Sequence, residues 1–322
     1  MTIKDYQELR AQMANWDMRY LGLSGGAQMR YGLWKPAKPS MGFVLLVPGR
    51  TEFIEKYTEE ASEWADRGYQ ALCIDLRGQG GSSREVPHKS HIDSFDTYVR
   101  DLNDFWTHVW LPTVGQRFGI VEAHSTGANI AIQKLAQDGT GADAFFPSAP
   151  MIDISLARLP RRIPPKLAYA AIAMMGRVLP KAYALGEDDF KPAEFPGNPH
   201  TRDENRHSQW KQLQLDHPEL VTGGVTWGWV AAARRSRAKL EALMPQLKVP
   251  TLAFLTPKDR VVDGPSQYQL THAIRLEFPD EGHELFRAPD NTRTRLWAAK
   301  DEFLFTIRQQ LPEWRKKQLS LS

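Results

Sequence analysis

Apolar residues come along this chain in short unbroken runs, and between the runs they recur every three or four positions. G-F-V-L-L-V at 42–47, Q-A-L-C-I-D at 70–75 and F-G-I-V-E-A-H at 118–124 are runs of the first kind. Such runs predict strands buried on both faces, since a half-buried strand would alternate. Residues 27–34, A-Q-M-R-Y-G-L-W, do alternate and predict an early antiparallel strand. Tyr57, Ala61, Trp64 and Ala65 fall at helical spacing, and so do Phe95, Tyr98, Val99, Leu102, Phe105 and Trp106 within 95–106. Strand and helix therefore alternate, which predicts an α/β fold with a mostly parallel central sheet and helices on both faces.

The rhythm breaks after Pro150. Residues 151–230 are rich in proline, basic and aromatic side chains, with helical patches and no obvious buried strand. Sheet patterns resume at 249–256 and 273–278, and an amphipathic helix is predicted over 292–310. The expected organisation is a core of 1–150 and 231–322 carrying an inserted cap, 151–230. The cap should lie over the C-terminal edge of the sheet, where open α/β folds bind ligands.

Composition narrows the class. The 322 residues are 42% hydrophobic and 25% charged, which suits a large globular core. A net charge of +3, with both signs interleaved, argues against a nucleic-acid partner. The single cysteine, Cys73, lies in an apolar run and reads as a small buried hydrophobe, with no intrachain disulfide to form. The N-terminal stretch lacks the apolar core of a signal peptide, and no stretch is apolar for the roughly 18 residues of a membrane span. A cytoplasmic protein is expected, at most peripheral to the inner membrane. Oligomeric state is not legible.

The candidate chemistry starts at Ser125. In V-E-A-H-S-T-G-A-N-I-A a buried strand ends, small residues follow, and a helical pattern begins. A serine at such a bend projects from the sheet edge, with the helix N-terminus behind it offering N–H groups to a developing negative charge. The five-residue pattern is weak alone, because Ala123 replaces the first glycine of G-x-S-x-G; the strand before and the helix after give it weight. A serine hydroxyl needs a base, and the base needs a group that holds its tautomer. His283 in D-E-G-H-E is the candidate base and Asp259 in L-T-P-K-D the candidate acid, with Asp263 as the alternative. Their chain order is Ser, Asp, His. His124 is expected to be structural and to point away from the nucleophile. The oxyanion donors should be the backbone N–H of Thr126 and that of Arg50, in a loop bent at Gly49. The Arg50 side chain either lies in solvent or lines the site. G-Q-G-G-S at 78–82 lacks the Lys-Ser/Thr end of a P-loop, and the histidines lack metal-binding spacing. No cofactor or metal is expected.

Taken together, P-G-R-T-E-F-I-E-K-Y (48–57), D-L-R-G-Q-G-G-S (75–82), A-H-S-T-G (123–127), T-P-K-D-R-V-V-D (256–263) and G-H-E (282–284) resemble the lysophospholipase and monoacylglycerol lipase family of α/β-hydrolases. The P-G-R and A-H-S variants are most similar to its bacterial lysophospholipase L2 branch. The resemblance spans about 25–310 and includes the cap stretches 195–206 and 217–230. It implies Ser125, Asp259 and His283 as a triad, with the Arg50 and Thr126 amides as oxyanion donors. Thr126 and Ala128 depart from the family's commoner residues, which bears on acyl-pocket shape.

The resemblance implies a serine hydrolase that cleaves the acyl ester of a monoacylated lipid, a lysophospholipase first. A monoacylglycerol lipase or small-ester carboxylesterase is the alternative, a prolyl-aminopeptidase-like hydrolase a more distant one. A non-catalytic binding module would keep the fold without the three side chains. Arg158, Arg161, Arg162 and Lys166 flank a long apolar stretch within 154–185. A basic ring around an apolar mouth suits phosphate or an anionic membrane surface. Trp227 and Trp229 are expected either in the core or along an acyl-chain wall.

Overall fold

The computed structural model describes residues 5–35, 41–155 and 164–312. Helix α1 (Tyr6–Met13) is followed by β1 (Trp16–Gly22), β2 (Gln28–Trp34), β3 (Gly42–Val47), α2 (Thr58–Asp66) and β4 (Tyr69–Ile74). Then come α3 (Phe95–Phe105), α4 (Leu111–Val114), β5 (Phe118–His124), α5 (Thr126–Gln137) and β6 (Ala144–Ser148). Next are α6 (Pro165–Val178), α7 (Glu204–Asp216), α8 (Trp227–Leu243), β7 (Leu252–Leu255), β8 (Ile274–Glu277) and α9 (Asp290–Gln310). The strands form one sheet in the order β1-β2-β4-β3-β5-β6-β7-β8. β1, β2 and β4 pair antiparallel, and every other neighbouring pair is parallel. This is the expected α/β-hydrolase architecture.

The period of two along each strand divides the core into two layers. Leu45 and Val47 of β3 face one cluster with Val121, Phe145 and residues of α3, α5 and α8. Val44 and Leu46 face the other, with Ile120, Phe146, and Trp64 and Trp297 from α2 and α9. β3 and β5 are buried along their whole length, as their unbroken apolar runs predict.

Two strands were not legible. β1 carries Asp17 and Arg19 on an exposed edge, so its apolar pattern is diluted. β6 is a five-residue strand interrupted by Pro147, which pairs opposite Ala123 in parallel register. The expected cap boundary at 230 falls inside α8, one continuous helix that packs on both α6 and α5. The basic residues Arg158, Arg161 and Arg162 lie outside the described residues.

Candidate active site

β5 runs to the C-terminal edge of the sheet and turns at Ser125 into α5. Ser125 adopts φ 51° and ψ −114°, a left-sided conformation that costs a non-glycine residue of order 1–3 kcal/mol. The bend is held by the Ser125 N–H donating to Ser148 O at 3.0 Å and by the Met151 N–H donating to Ser125 O at 3.1 Å. Gly127 is required two residues on. A Cβ there would lie 2.3 Å from Val47 O and 2.4 Å from Pro48 O, so only glycine lets α5 approach the end of β3.

The three candidate side chains, far apart in sequence, meet at this edge. His283 Nε2 lies 2.9 Å from Ser125 Oγ, and His283 Nδ1 lies 2.6 Å from Asp259 Oδ2. Asp259 is tied down on its other oxygen, Oδ1, by the N–H groups of Val261 and Val262 at 2.7 and 3.1 Å, while the Thr256 hydroxyl donates to Oδ2 at 2.7 Å. Burial works against the charge on Asp259, but His283, Thr256 and Val261 outweigh it and hold the carboxyl down to about 2. Burial likewise penalises a charged His283 and outweighs the attraction of Asp259; with His124 and His200 adding to it, the ring titrates below its usual range. Asp263 is engaged elsewhere: its carboxylate accepts from the Ser266 N–H at 3.0 Å and caps the following turn.

The Arg50 amide sits between two pinned neighbours. The Gly49 N–H donates to Glu52 Oε2 at 2.5 Å, and the Thr51 N–H donates to Gln79 Oε1 at 3.1 Å. Thr126 opens α5, where first-turn N–H groups lack intrahelical partners. Both residues line a cavity of about 370 Å³ that also reaches Ser125 and His283. That volume lies within the range of small-molecule sites, about 300–1,000 Å³. Its walls are mainly apolar and include Met151, Ile172, Leu185, Trp227, Trp229 and Val230. Trp229 is buried and meets Phe95 edge-on at 5.6 Å, so it packs in the core and walls the cavity at once. The Arg50 guanidinium lies 5.7 Å from the Trp229 ring centroid, so this side chain does line the site.

Sequence reasoning missed a buried charged assembly beneath the triad. Glu52 accepts from Lys56 Nζ at 2.7 Å and Tyr57 Oη at 2.6 Å, and Lys56 also donates to Glu284 at 2.8 Å. His124 belongs to it. Its ring lies 4.7 Å from the His283 ring, rather than pointing away from the site. The i,i+4 spacing of Glu52 and Lys56 was the only local signal. Among the described residues, Glu85, His91 and Asp93 are the group whose spacing could hold a metal ion. None of them lines the cavity, and Glu85 is paired with Lys181 at 2.8 Å.

The chain matches the family model described as serine aminopeptidase, S33, over residues 38–287. A probable lysophospholipase L2 from Haemophilus influenzae is 27% identical over 276 residues, covering 84% of this chain and 86% of that protein. Lysophospholipase L2 from Escherichia coli is 31% identical over 226 residues, 69% of this chain and 64% of its own length. Among solved structures, a soluble variant of monoglyceride lipase from Saccharomyces cerevisiae, bound to a substrate analogue, superposes with a TM-score of 0.71 at 15% identity, covering 91% and 95% of the two chains. A monoacylglycerol lipase from Paleococcus ferrophilus gives 0.64 at 17% identity, covering 85% and 98%. At these identities the two structures speak for the fold.

Proposed function

Since the chain belongs to the α/β-hydrolase family described as serine aminopeptidase, S33, we propose that it is a serine hydrolase of monoacylated lipids, acting as a lysophospholipase. Ser125 Oγ attacks the ester carbonyl while His283 Nε2 takes its proton. Asp259 keeps the remaining proton on Nδ1 and steadies the imidazolium. The Thr126 and Arg50 N–H groups receive the oxyanion, a preorganised contribution of about 2.7–4 kcal/mol per donor in enzymes of this kind. The imidazolium then protonates the leaving glycerol oxygen. Water, activated by the same ring, releases the fatty acid from Ser125.

The observation that carries the reading is the chain of contacts from Asp259 through His283 to Ser125, 2.6 and 2.9 Å, opening into an apolar cavity. Each methylene buried there would contribute about 0.8 kcal/mol, which favours an acyl chain over a small acid. Trp227, Trp229 and Ile172 form that wall in the proposal, with Arg50 placed to meet a phosphate. Glu187 and Glu284 also line the cavity, and an uncharged glycerol head meets them at lower cost than a phosphodiester. That observation favours monoacylglycerol as the second reading. Assaying a lysophosphatidylcholine and a monoacylglycerol of equal chain length side by side separates the two. Faster turnover of the lysophospholipid is expected, and a preference for acetyl esters or proline amides would sink both.

Residues 151–230 act as the cap in this proposal, and they carry its membrane-facing surface. Leu167, Met174, Val178 and Leu185 are 59–73% exposed, and Leu167 and Leu185 also line the cavity. Exposed Lys166, Arg177 and Lys181 flank them. An apolar face with basic flanks at the mouth of a lipid site suits an anionic lipid surface. Among the described residues no helix is long and apolar enough to cross a membrane. The placement we propose is cytoplasmic, with contact at the inner membrane.

A further inference from the structure

Both ring nitrogens of His124 face atoms that only accept. Nε2 lies 3.1 Å from the carbonyl oxygen of His283, and Nδ1 lies 3.2 Å from the carboxylate of Glu52. A neutral imidazole carries one N–H and would leave a lone pair against one of these oxygens. Glu52 cannot relieve this by taking a proton, since it already accepts from the Gly49 N–H, Tyr57 Oη and Lys56 Nζ. The ring is 3% exposed, so water does not supply a substitute partner.

We propose that His124 is a resident imidazolium, a positioning residue that clamps the backbone of His283 and whose charge keeps the His283 ring neutral and ready to accept the serine proton. The inference rests on the proposed role of His283 as base. The two rings lie 4.7 Å apart, so a fixed positive charge on His124 opposes a second one on His283. The other charged groups facing His124 are Lys56 from the turn after β3 and Glu284 from the segment after β8, the latter paired in turn with Arg287. They form opposed pairs among themselves, and His200 adds a further ring 6.3 Å from His283. Burial works against the charge on His124, and the Glu52 carboxylate overcomes it, raising its pKa. The arrangement also explains why Glu52 serves two tasks. The carboxylate that fixes the Gly49 turn, and with it the Arg50 amide, is the one that holds the cation in place.

The test is ring-15N NMR of the whole chain together with pH profiles of kcat/KM. In the wild type, both His124 nitrogens should be protonated at pH 7. Glu52→Gln removes the charge that holds the cation; its amide oxygen can keep the Gly49 and Tyr57 contacts at the cost of the one to Lys56, and His124 is left neutral. In that variant the acid limb should move up by about one pH unit, the size expected of one nearby charge in a partly screened site. His124→Asn should move it the same way, and a merely structural role would lower kcat with the limb unmoved. A neutral His124 at pH 7, or an acid limb unmoved in both variants, overturns the proposal. Fluorophosphonate labelling of Ser125 in the wild type and in Glu52→Gln keeps the cases apart. Labelling in both with an unmoved limb sinks this inference alone, whereas no labelling of the wild type sinks the nucleophile assignment beneath it.

Discussion

Asp259→Asn is the sharpest perturbation of the proposed mechanism. Oδ1 of Asp259 accepts from the Val261 and Val262 N–H groups, so in the variant the amide oxygen must stay there. The amide NH2 then occupies the Oδ2 position, 2.6 Å from His283 Nδ1. It donates to that nitrogen and forces the ring proton onto Nε2, which faces Ser125 Oγ at 2.9 Å. A base that already carries its proton cannot accept another. Flipping the amide would set NH2 against two N–H donors, and Thr256 Oγ1, which already accepts from Gln267 at 3.2 Å, offers no escape. The wrong tautomer costs about four orders of magnitude in kcat, or about 5.4 kcal/mol of transition-state stabilisation. The assay is steady-state hydrolysis of a p-nitrophenyl ester, with thermal melting to show that the fold is retained. A folded variant that keeps more than about one-tenth of wild-type kcat would refute the tautomer argument.

Ser125→Ala should lower kcat by about a thousandfold or more with the melting temperature preserved. The depressed pKa of His283 sets a pH dependence: the base is active when neutral, and burial favours the neutral ring, so kcat/KM should hold its plateau to below the ordinary histidine value of about 6.5. An acid limb above that value contradicts the electrostatics. Gly127→Ala should destabilise the fold by about 1–3 kcal/mol or more and abolish turnover, because both atoms it would strike are backbone oxygens; denaturant unfolding checks this. Lys300 is fully buried and donates to Glu60 and Glu122, each at 2.6 Å, so Lys300→Met should cost about 3–5 kcal/mol by leaving buried Glu122 without its cation and Glu60 with only Arg293, 3.5 Å away.

The parallel core was legible because strands buried on both faces must be apolar throughout, as in β3, β4 and β5. β6 escaped because its five residues include Pro147, and β1 because an exposed edge tolerates Asp17 and Arg19. Ser125 could be read from local pattern alone, since a strand, a bend and a helix lie within one stretch. Asp259 and His283 followed from chain order and from the loops that end buried strands. The pairing of Glu52 with His124 had no such signal. These residues stand 72 positions apart, and only the parallel neighbours β3 and β5 bring them together. Helix α8 hid any boundary at 230, because one continuous helix runs through that position and packs on α6 and α5 alike.

The measurement closest to the central claim is covalent capture of the nucleophile. Treat the full chain with a fluorophosphonate, digest it and weigh the peptides. One adduct per chain is predicted, on the peptide bearing Ser125, formed in step with loss of esterase activity and absent from Ser125→Ala. Inactivation with the adduct on another residue, or full activity after Ser125 is modified, would contradict the account.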